Sequence, residues 1–247
     1  MTVIDTFNGA LILNQRVFTE MRDAPDGVRR GFLLILMVGL LVGAIQSASE
    51  LISVANPEQV VNAFMTGYRQ AIEQQRATVT TPEQREVLQW MEDSEEEIAN
   101  IVRALVTEPA LLPRPVVLMF QALAQTVSTP LSYLGGMLLA VCLTHLAARQ
   151  LGGQGGIRAM VAVGSLSVAP HVLDALTFVP ILSLPLGLIS WGWGLIVLIT
   201  GTAVVHRLDS GKATLAVLLY PSLLIVLGVL FSCILIFLLI SLAASLS

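Results

Sequence analysis

The stretch IRAMVAVGSLSVAPHVLDALTFV, residues 157–179, decides the fold, because after Arg158 it is apolar for long enough to cross a bilayer. It carries Pro170, His171 and Asp174 in its interior. On a helix, a three-residue spacing places the imidazole and the carboxylate on one face. At 1.5 Å per residue, Asp174 lies roughly 24 Å from Arg158, near the far side of a roughly 30 Å core. The pair therefore indicates either a packing or interfacial contact, or a proton, ion or ligand role.

The composition of the chain is typical of a polytopic membrane protein. Of its 247 residues, 55% are hydrophobic and 12% are charged, and the mean hydropathy is +0.81. A soluble domain would be about one quarter charged. The formal net charge of −4, without a basic cluster, argues against nucleic acid as a partner. Cys142 and Cys233 lie in apolar runs and are interpreted as packing residues, not as a disulfide framework.

Five apolar runs predict an all-α fold with five transmembrane helices. A charged stretch at residues 53–114 interrupts them after the first run, and the other four lie in the membrane region 115–247. Residues 116–129 are apolar but too short to cross before Pro130, so they either lie along the interface or extend the second span across a kink. The predicted spans are residues 31–52, 131–148, 159–179, 186–205 and about 217–243.

The N-terminal residues and the first span present two different helix faces. Residues 1–30 place apolar side chains on roughly one side of a helix, which predicts a cytoplasmic amphipathic segment on the membrane surface; an ordinary solvated lead-in is the alternative. In the first span, Gly39, Gly43 and Ser47 recur every four residues. Such a stripe lets another helix backbone approach closely. It predicts an interaction face, either within the chain or between chains.

The charged stretch predicts an antiparallel helical hairpin. It contains two similar helix starts, Asn56-Pro57-Glu58-Gln59 and Thr81-Pro82-Glu83-Gln84, each followed by an apolar stripe. A capping residue, then proline, then Gln two residues later is a capping-box arrangement. The acidic run at residues 92–97 could hold a divalent cation. We interpret it as a solvated helix face, because it lacks the alternating ligands and the glycine of a calcium loop, and we predict no metal site.

The basic residues predict the orientation. Three segments that would lie on one side of the membrane hold eight of the thirteen basic residues. By the positive-inside rule, the N-terminus is cytoplasmic, and the hairpin and the C-terminus are extracytoplasmic, in a plasma (inner) membrane. The eight are Arg16, Arg22, Arg29, Arg30, Arg149, Arg158, Arg207 and Lys212.

The sequence predicts no enzyme and no cofactor. It has neither a His-Glu-x-x-His pair nor a Gly-x-Ser setting with a facing base. His145 and His206 lie beside Arg149 and Arg207 near the inner surface, whereas His171 lies roughly 20 Å away along its helix, which argues against a bis-histidine haem. A single pigment or haem ligand at His171 stays open as an alternative.

Several patterns in the C-terminal half resemble the prokaryotic branch of the Yip family, the Ypt/Rab-interacting membrane proteins. They are residues 148–156 (ARQLGGQGG), proline in the middle of the third span, tryptophan in the fourth, and Ser210-Gly211-Lys212-Ala213 before the fifth. The resemblance covers residues 1–52 and 115–246 and treats the hairpin as an insertion. It implies a five-span bundle with a cytoplasmic N-terminus. Eukaryotic members bind Rab-type GTPases and work in vesicle traffic, and they have an Asp-Leu-Tyr-Gly-Pro segment ahead of the spans. This sequence lacks that segment, so neither GTPase binding nor vesicle traffic is implied here.

These observations lead us to expect a non-enzymatic membrane scaffold or accessory subunit. It would dock through the stripe of Gly39, Gly43 and Ser47 and through the hairpin, and its partners would be the bilayer and other membrane subunits or a second copy. One alternative is a small-solute or ion permease or channel that uses His171 and Asp174. Another is a membrane-shaping protein that acts through residues 1–30.

Overall fold

The computed structural model describes residues 2–54, 57–107 and 113–246, and every regular element in them is helical. Five helical segments are long and apolar enough to cross a membrane: Gly27–Leu51, Pro115–Gln150, Ile157–Leu176, Ile181–His206 and Ser210–Leu238. This confirms the predicted all-α polytopic fold. The helices are α1 (Val3–Leu11), α2 (Gln15–Asp23), α3 (Gly27–Val54), α4 (Pro57–Arg76), α5 (Pro82–Asp93), α6 (Glu95–Thr107), α7 (Arg114–Gln150), α8 (Ile157–Gly164), α9 (Pro180–His206) and α10 (Ser210–Leu246), with a 3₁₀ segment, Ser165–Leu176, after α8.

The chain divides into two compact units. The first comprises Met1–Gly43 with Thr126–Ser247, and the second comprises Ala44–Gln125. The first unit contains the main apolar core, in which Phe18, Met21, Met160 and Leu166 are fully buried. Because Phe18 and Met21 belong to α2, the N-terminal segment is part of this core.

Residues 1–30 form α1, α2 and the start of α3, where the sequence suggested one amphipathic helix. Leu13 has a positive φ of 55° and Asn14 caps α2, so the chain turns between α1 and α2. The apolar face of α2 packs against α8 and α9. The Trp193 indole donates a hydrogen bond to the Leu11 carbonyl, at 3.0 Å. The face that the sequence predicted at the membrane surface is thus largely covered by the chain itself.

Ion pairing fixes the end of α2. The Arg22 guanidinium donates to both carboxylate oxygens of Asp23, at 2.7 and 2.8 Å, and to the Val204 carbonyl of α9, at 3.2 Å. This hydrogen bonding lowers the pKa of Asp23 below its ordinary value. One arginine therefore neutralises its neighbour and holds α2 against the end of α9.

Helix α7 is longer than the predicted second span. Residues 114–150 form one continuous helix with Pro130 inside it, so residues 116–129 extend the span. Proline removes one backbone donor, but a transmembrane helix tolerates this when neighbouring groups compensate. Pro130 lies directly against Gly39 of α3, where an added Cβ atom would come within 2.6 Å of the proline Cβ.

The small-residue stripe of α3 faces α7 of the same chain. A Cβ atom at Gly39 would meet Pro130, and one at Gly43 would lie 3.0 Å from the Thr126 Cα. In the second unit, the Ser47 hydroxyl donates to the Ala122 carbonyl at 3.0 Å. The sequence left open whether this stripe packs within the chain or between chains. All three positions pack within the chain.

The third span is not one regular α-helix. Helix α8 ends at Gly164, and the next twelve residues form a 3₁₀ helix that contains Pro170. Proline cannot donate to the α-helical ladder, and the hydroxyls of Ser165 and Ser167 donate to the carbonyls of Ala162 and Gly164. These local bonds favour the tighter helix, in which side chains three residues apart are eclipsed.

The second unit is a helical hairpin whose second arm consists of two helices. Helices α5 and α6 are separated at Ser94 and run antiparallel to α4, since Arg69 pairs with Glu95 at 2.6 Å and Arg103 pairs with Glu58 at 3.2 Å. The Thr81 capping box is present as predicted; Asn56, the other predicted cap, lies outside the described residues. Two members of the acidic run have arginine partners, Glu92 with Arg76 and Glu95 with Arg69.

We predict that Gly39→Ala destabilises the folded monomer by about 1 to 3 kcal/mol, because the new methyl group would overlap the Pro130 backbone. The measurement is thermal unfolding of the purified protein in detergent. Gly135→Ala is the matched control, since a Cβ at this α7 position meets nothing within 4 Å. Equal melting temperatures for the two variants would contradict the close approach of α3 and α7.

Candidate functional site

The carboxylate of Asp174 is the centre of a polar cluster inside the first unit. Its Oδ2 atom accepts a hydrogen bond from the Tyr133 hydroxyl and lies beside His171 Nδ1, both at 2.8 Å. Its Oδ1 atom accepts from the Ser190 hydroxyl at 2.5 Å. Tyr133 belongs to α7 and Ser190 to α9, so the carboxylate joins three membrane-spanning elements.

The 3₁₀ segment explains why His171 and Asp174 meet. Positions three apart are eclipsed in such a helix, so the imidazole stacks directly over the carboxylate. The Thr177 hydroxyl donates to the Asp174 carbonyl at 2.7 Å and closes the end of the segment. The two side chains keep only 23% and 18% of their surface exposed. His171 and Asp174 are therefore in contact, as their spacing predicted. The carboxylate has two further donors that the sequence did not identify.

Hydrogen bonding fixes the imidazole of His171. Because a carboxylate only accepts hydrogen bonds, Nδ1 of His171 carries the proton that faces Asp174. The ring also packs against Tyr133, with centroids 5.1 Å apart. The other nitrogen, Nε2, is directed towards Gly194 of α9, where an added Cβ atom would lie 3.7 Å from it.

A cavity of about 180 Å³ lies on this side of His171. Its walls come from α7, the 3₁₀ segment, α9 and the first turns of α10. Ser132, Gly136 and Trp191 are exposed and mark the side on which it opens. The cavity is therefore bounded by four membrane-spanning elements and has a polar patch at His171.

The geometry favours a packing role for the Asp174 carboxylate. Both of its oxygens have donors from the protein, which is the condition for keeping a charge inside a membrane protein. The Ser167 hydroxyl, one turn before His171, donates to the Gly164 carbonyl at 2.7 Å and is not activated by the imidazole. What the cluster leaves for a ligand is His171 Nε2 and the cavity beside it.

A second polar pair joins His145 of α7 and His206 of α9. His145 Nδ1 lies 3.1 Å from His206 Nε2, and His206 is fully buried. The Gly155 amide donates to His206 Nδ1 at 3.2 Å, so the His206 proton must sit on Nε2 and be donated to His145. This direct contact leaves no room for a metal or haem between the two rings. The sequence placed both residues near the inner surface but gave no reason to pair them.

The glycine-rich loop closes over this histidine pair. An added Cβ at Gly153 would lie 2.6 Å from His206 Nδ1, and one at Gly155 would lie 2.6 Å from the Val205 carbonyl oxygen. The backbone amide of Gln154 donates to the His206 carbonyl at 3.2 Å. Glycine is required here because the loop backbone lies close to Val205 and His206. Hydrogen bonds from the loop hold the α7–α8 connection at the end of α9.

These features define a polytopic helical protein whose spans are held together by polar junctions. The family model of the Yip1 domain matches residues 9–234, and the chain belongs to this family. The match confirms the resemblance to the Yip family, and its range also includes residues 53–114. The Yip1 family is not a known enzyme family. No curated protein and no solved structure shows significant similarity to the chain.

We predict that Asp174→Asn destabilises the protein by about 1 to 3 kcal/mol, since an amide has one acceptor oxygen for the donors that the carboxylate now receives. Tyr133→Phe should cost less, because it removes one donor and leaves the others in place. Thermal unfolding in detergent measures both.

Asp209→Asn is the control for loss of an acid. Asp209 is exposed and accepts from the Lys212 amide at the start of α10, a cap that asparagine provides equally well. If Asp174→Asn and Asp209→Asn unfold at the same temperature, the carboxylate does not stabilise the junction.

Proposed function

We propose that this member of the Yip1 domain family is a non-enzymatic scaffold or accessory subunit that associates with another membrane protein. The observation that carries the proposal is the exposure of α10. Its first turns pack in the core, with Ala213, Val217 and Pro221 buried, but every side chain of residues 222–238 is exposed. About 25 Å of helix, at 1.5 Å per residue, thus has no covering from the described chain.

The composition of this segment suits helix association. Gly228 and Ser232 are four residues apart, and a Cβ added at Gly228 would meet nothing within 4 Å. Small residues at this spacing allow a second transmembrane helix to pack closely. The corresponding stripe of α3, at Gly39 and Gly43, already packs within the chain. The proposed docking surface therefore moves from the first span to the last, and its occupant is a transmembrane helix of the partner.

The hairpin supports a second contact with the partner. Several large apolar side chains on α4, α5 and α6 are exposed, although this unit is rich in charge. Clusters of exposed apolar groups on a polar unit are typical of protein interaction surfaces. The residues are Phe64, Val87, Trp90, Ile101 and Leu105.

The orientation completes the proposal. The N-terminus would be cytoplasmic, and the hairpin and C-terminus extracytoplasmic, in the plasma membrane of a prokaryotic cell. Cysteine variants test this in a background that lacks Cys142 and Cys233. We expect an impermeant maleimide to label Glu96→Cys in intact cells and to label Gln15→Cys only after permeabilisation. The reverse pattern would overturn the orientation.

We predict that Gly228→Leu abolishes association with the partner and leaves the melting temperature of the isolated protein unchanged, since no described residue contacts this position. The measurement uses a photo-crosslinker at Ser232 in native membranes, with the crosslinked species isolated and its stoichiometry determined. Gly135→Leu, at another open glycine of a membrane span, is the control and should retain the crosslink.

The crosslinked species distinguish docking to a protein from exposure to lipid. A protein crosslinked in constant ratio, and lost only in Gly228→Leu, supports an accessory subunit. Crosslinks to lipid alone in both variants would remove the support that α10 gives to the proposal.

A small-solute or ion permease is the second candidate, because a cavity lies beside His171 within the spans. A proton-coupled flux in proteoliposomes that Asp174→Asn abolishes would favour it over the subunit. Membrane shaping by residues 1–30 receives less support, since Phe18 and Met21 of its apolar face are fully buried against the chain.

A further inference from the structure

The cavity beside His171 contains polar atoms that have no partner in the described part of the chain. They are His171 Nε2, the Tyr220 hydroxyl, the Ser132 hydroxyl and the Trp191 indole nitrogen, none of which makes a hydrogen bond there. A concave, mostly apolar space with a few polar groups in its lining is the usual form of a small-molecule site. They require either water or a ligand with its own hydrogen-bonding group.

Two further lining residues are polar, Tyr133 and Ser167, and the hydroxyls of both donate hydrogen bonds within the protein. The other lining residues are apolar. Met137, Val168 and Leu198 are buried in the walls, and Ser132 and Trp191 are exposed at the opening. All of these residues belong to segments long and apolar enough to cross a membrane. A ligand would therefore enter from the hydrocarbon phase, and most of its surface must be apolar.

The protonation states of His171 select the polar group of the ligand. With Nδ1–H directed at Asp174, a neutral imidazole presents a lone pair at Nε2, and a protonated one presents an N–H. A hydroxyl accepts and donates, so it fits both states and also pairs with Tyr220. No Lys or Arg is among the lining residues, so a phosphate or carboxylate would lack a cation.

We infer that this cavity binds a neutral lipid alcohol, with its hydroxyl at His171 Nε2 and Tyr220 and its chain passing out between α7 and α9. The volume of about 180 Å³ has room for several water molecules. It holds the hydroxyl end and the first carbons of such a molecule, and the remaining chain stays in the bilayer. The site does not depend on the proposed partner, because its lining belongs to one chain.

The test uses the purified full chain in phospholipid nanodiscs and a long-chain alcohol with a diazirine near its hydroxyl. We expect photolabelling at the lining residues of α7 and α9, read by mass spectrometry. Unlabelled dodecanol and a monoacylglycerol should compete. Dodecyl methyl ether should compete at least about tenfold less well, because it lacks a hydroxyl. Dodecanoic acid should also compete at least about tenfold less well, because it carries a charge. Butanol as a competitor separates a membrane lipid from a small soluble alcohol.

Three variants keep the test independent of folding. Gly136 lines the cavity and an added Cβ there meets nothing within 4 Å, so Gly136→Leu should fill the opening and reduce labelling at least about tenfold. Gly135→Leu, one residue away and outside the lining, should label like the wild type. Tyr220→Phe removes one ligand hydroxyl contact and should weaken competition about fivefold, as expected for one neutral hydrogen bond.

Two results overturn the proposed site, and a third overturns the lipid source of the ligand. In one, the alcohol and its methyl ether compete equally, which means that the apolar chain alone is recognised. In the other, Gly136→Leu and Gly135→Leu label alike, which means that the cavity is not the binding site. If butanol competes as well as dodecanol at equal membrane concentration, the ligand is not a membrane lipid, and the inference that it enters from the bilayer is wrong.

Discussion

A charge inside a membrane has to be satisfied by its own protein, and the Asp174 carboxylate meets this constraint with donors from three elements. Tyr133 comes from α7, His171 from the 3₁₀ segment and Ser190 from α9. In lipid there is little hydrophobic driving force between helices, so packing and interhelical hydrogen bonds hold a bundle together. A carboxylate that accepts from each of its neighbours fixes their depth and rotation together. The orientation of His171, and with it the polar side of the cavity, depends on this arrangement.

The irregular backbone of the third span also helps to satisfy the Asp174 carboxylate. A regular α-helix would place His171 and Asp174 on one face but about 60° apart around the axis, as follows from 3.6 residues per turn. The 3₁₀ geometry eclipses them, and Pro170 and the hydroxyls of Ser165 and Ser167 explain why the ladder changes there. At the opposite end of the bundle, the His145–His206 pair and the glycine loop form a second junction between α7 and α9. Polar contacts thus join these two helices at separate levels.

The sequence predicts those parts of the structure that depend on local pattern. Apolar runs define the five candidate spans, and the three-residue spacing of His171 and Asp174 predicts their contact. The remaining donors could not be predicted, because Tyr133 and Ser190 are 41 and 16 residues from Asp174 and carry no motif. The same holds for His145 and His206, which are 61 residues apart. Long-range partners follow from how helices pack, and a single sequence does not encode that in any local period.

The contrast between α3 and α10 shows why a small-residue stripe cannot by itself locate an intermolecular surface. Both helices carry small residues at four-residue spacing, and both are apolar enough to cross a membrane. In α3 the space above Gly39 and Gly43 is filled by Pro130 and Thr126, so the stripe contributes to folding. Above Gly228 of α10 there is open space over a segment with every side chain exposed. Of these two stripes, only the one at Gly228 is left uncovered by the described chain, and small residues at this spacing permit the close approach of a second helix.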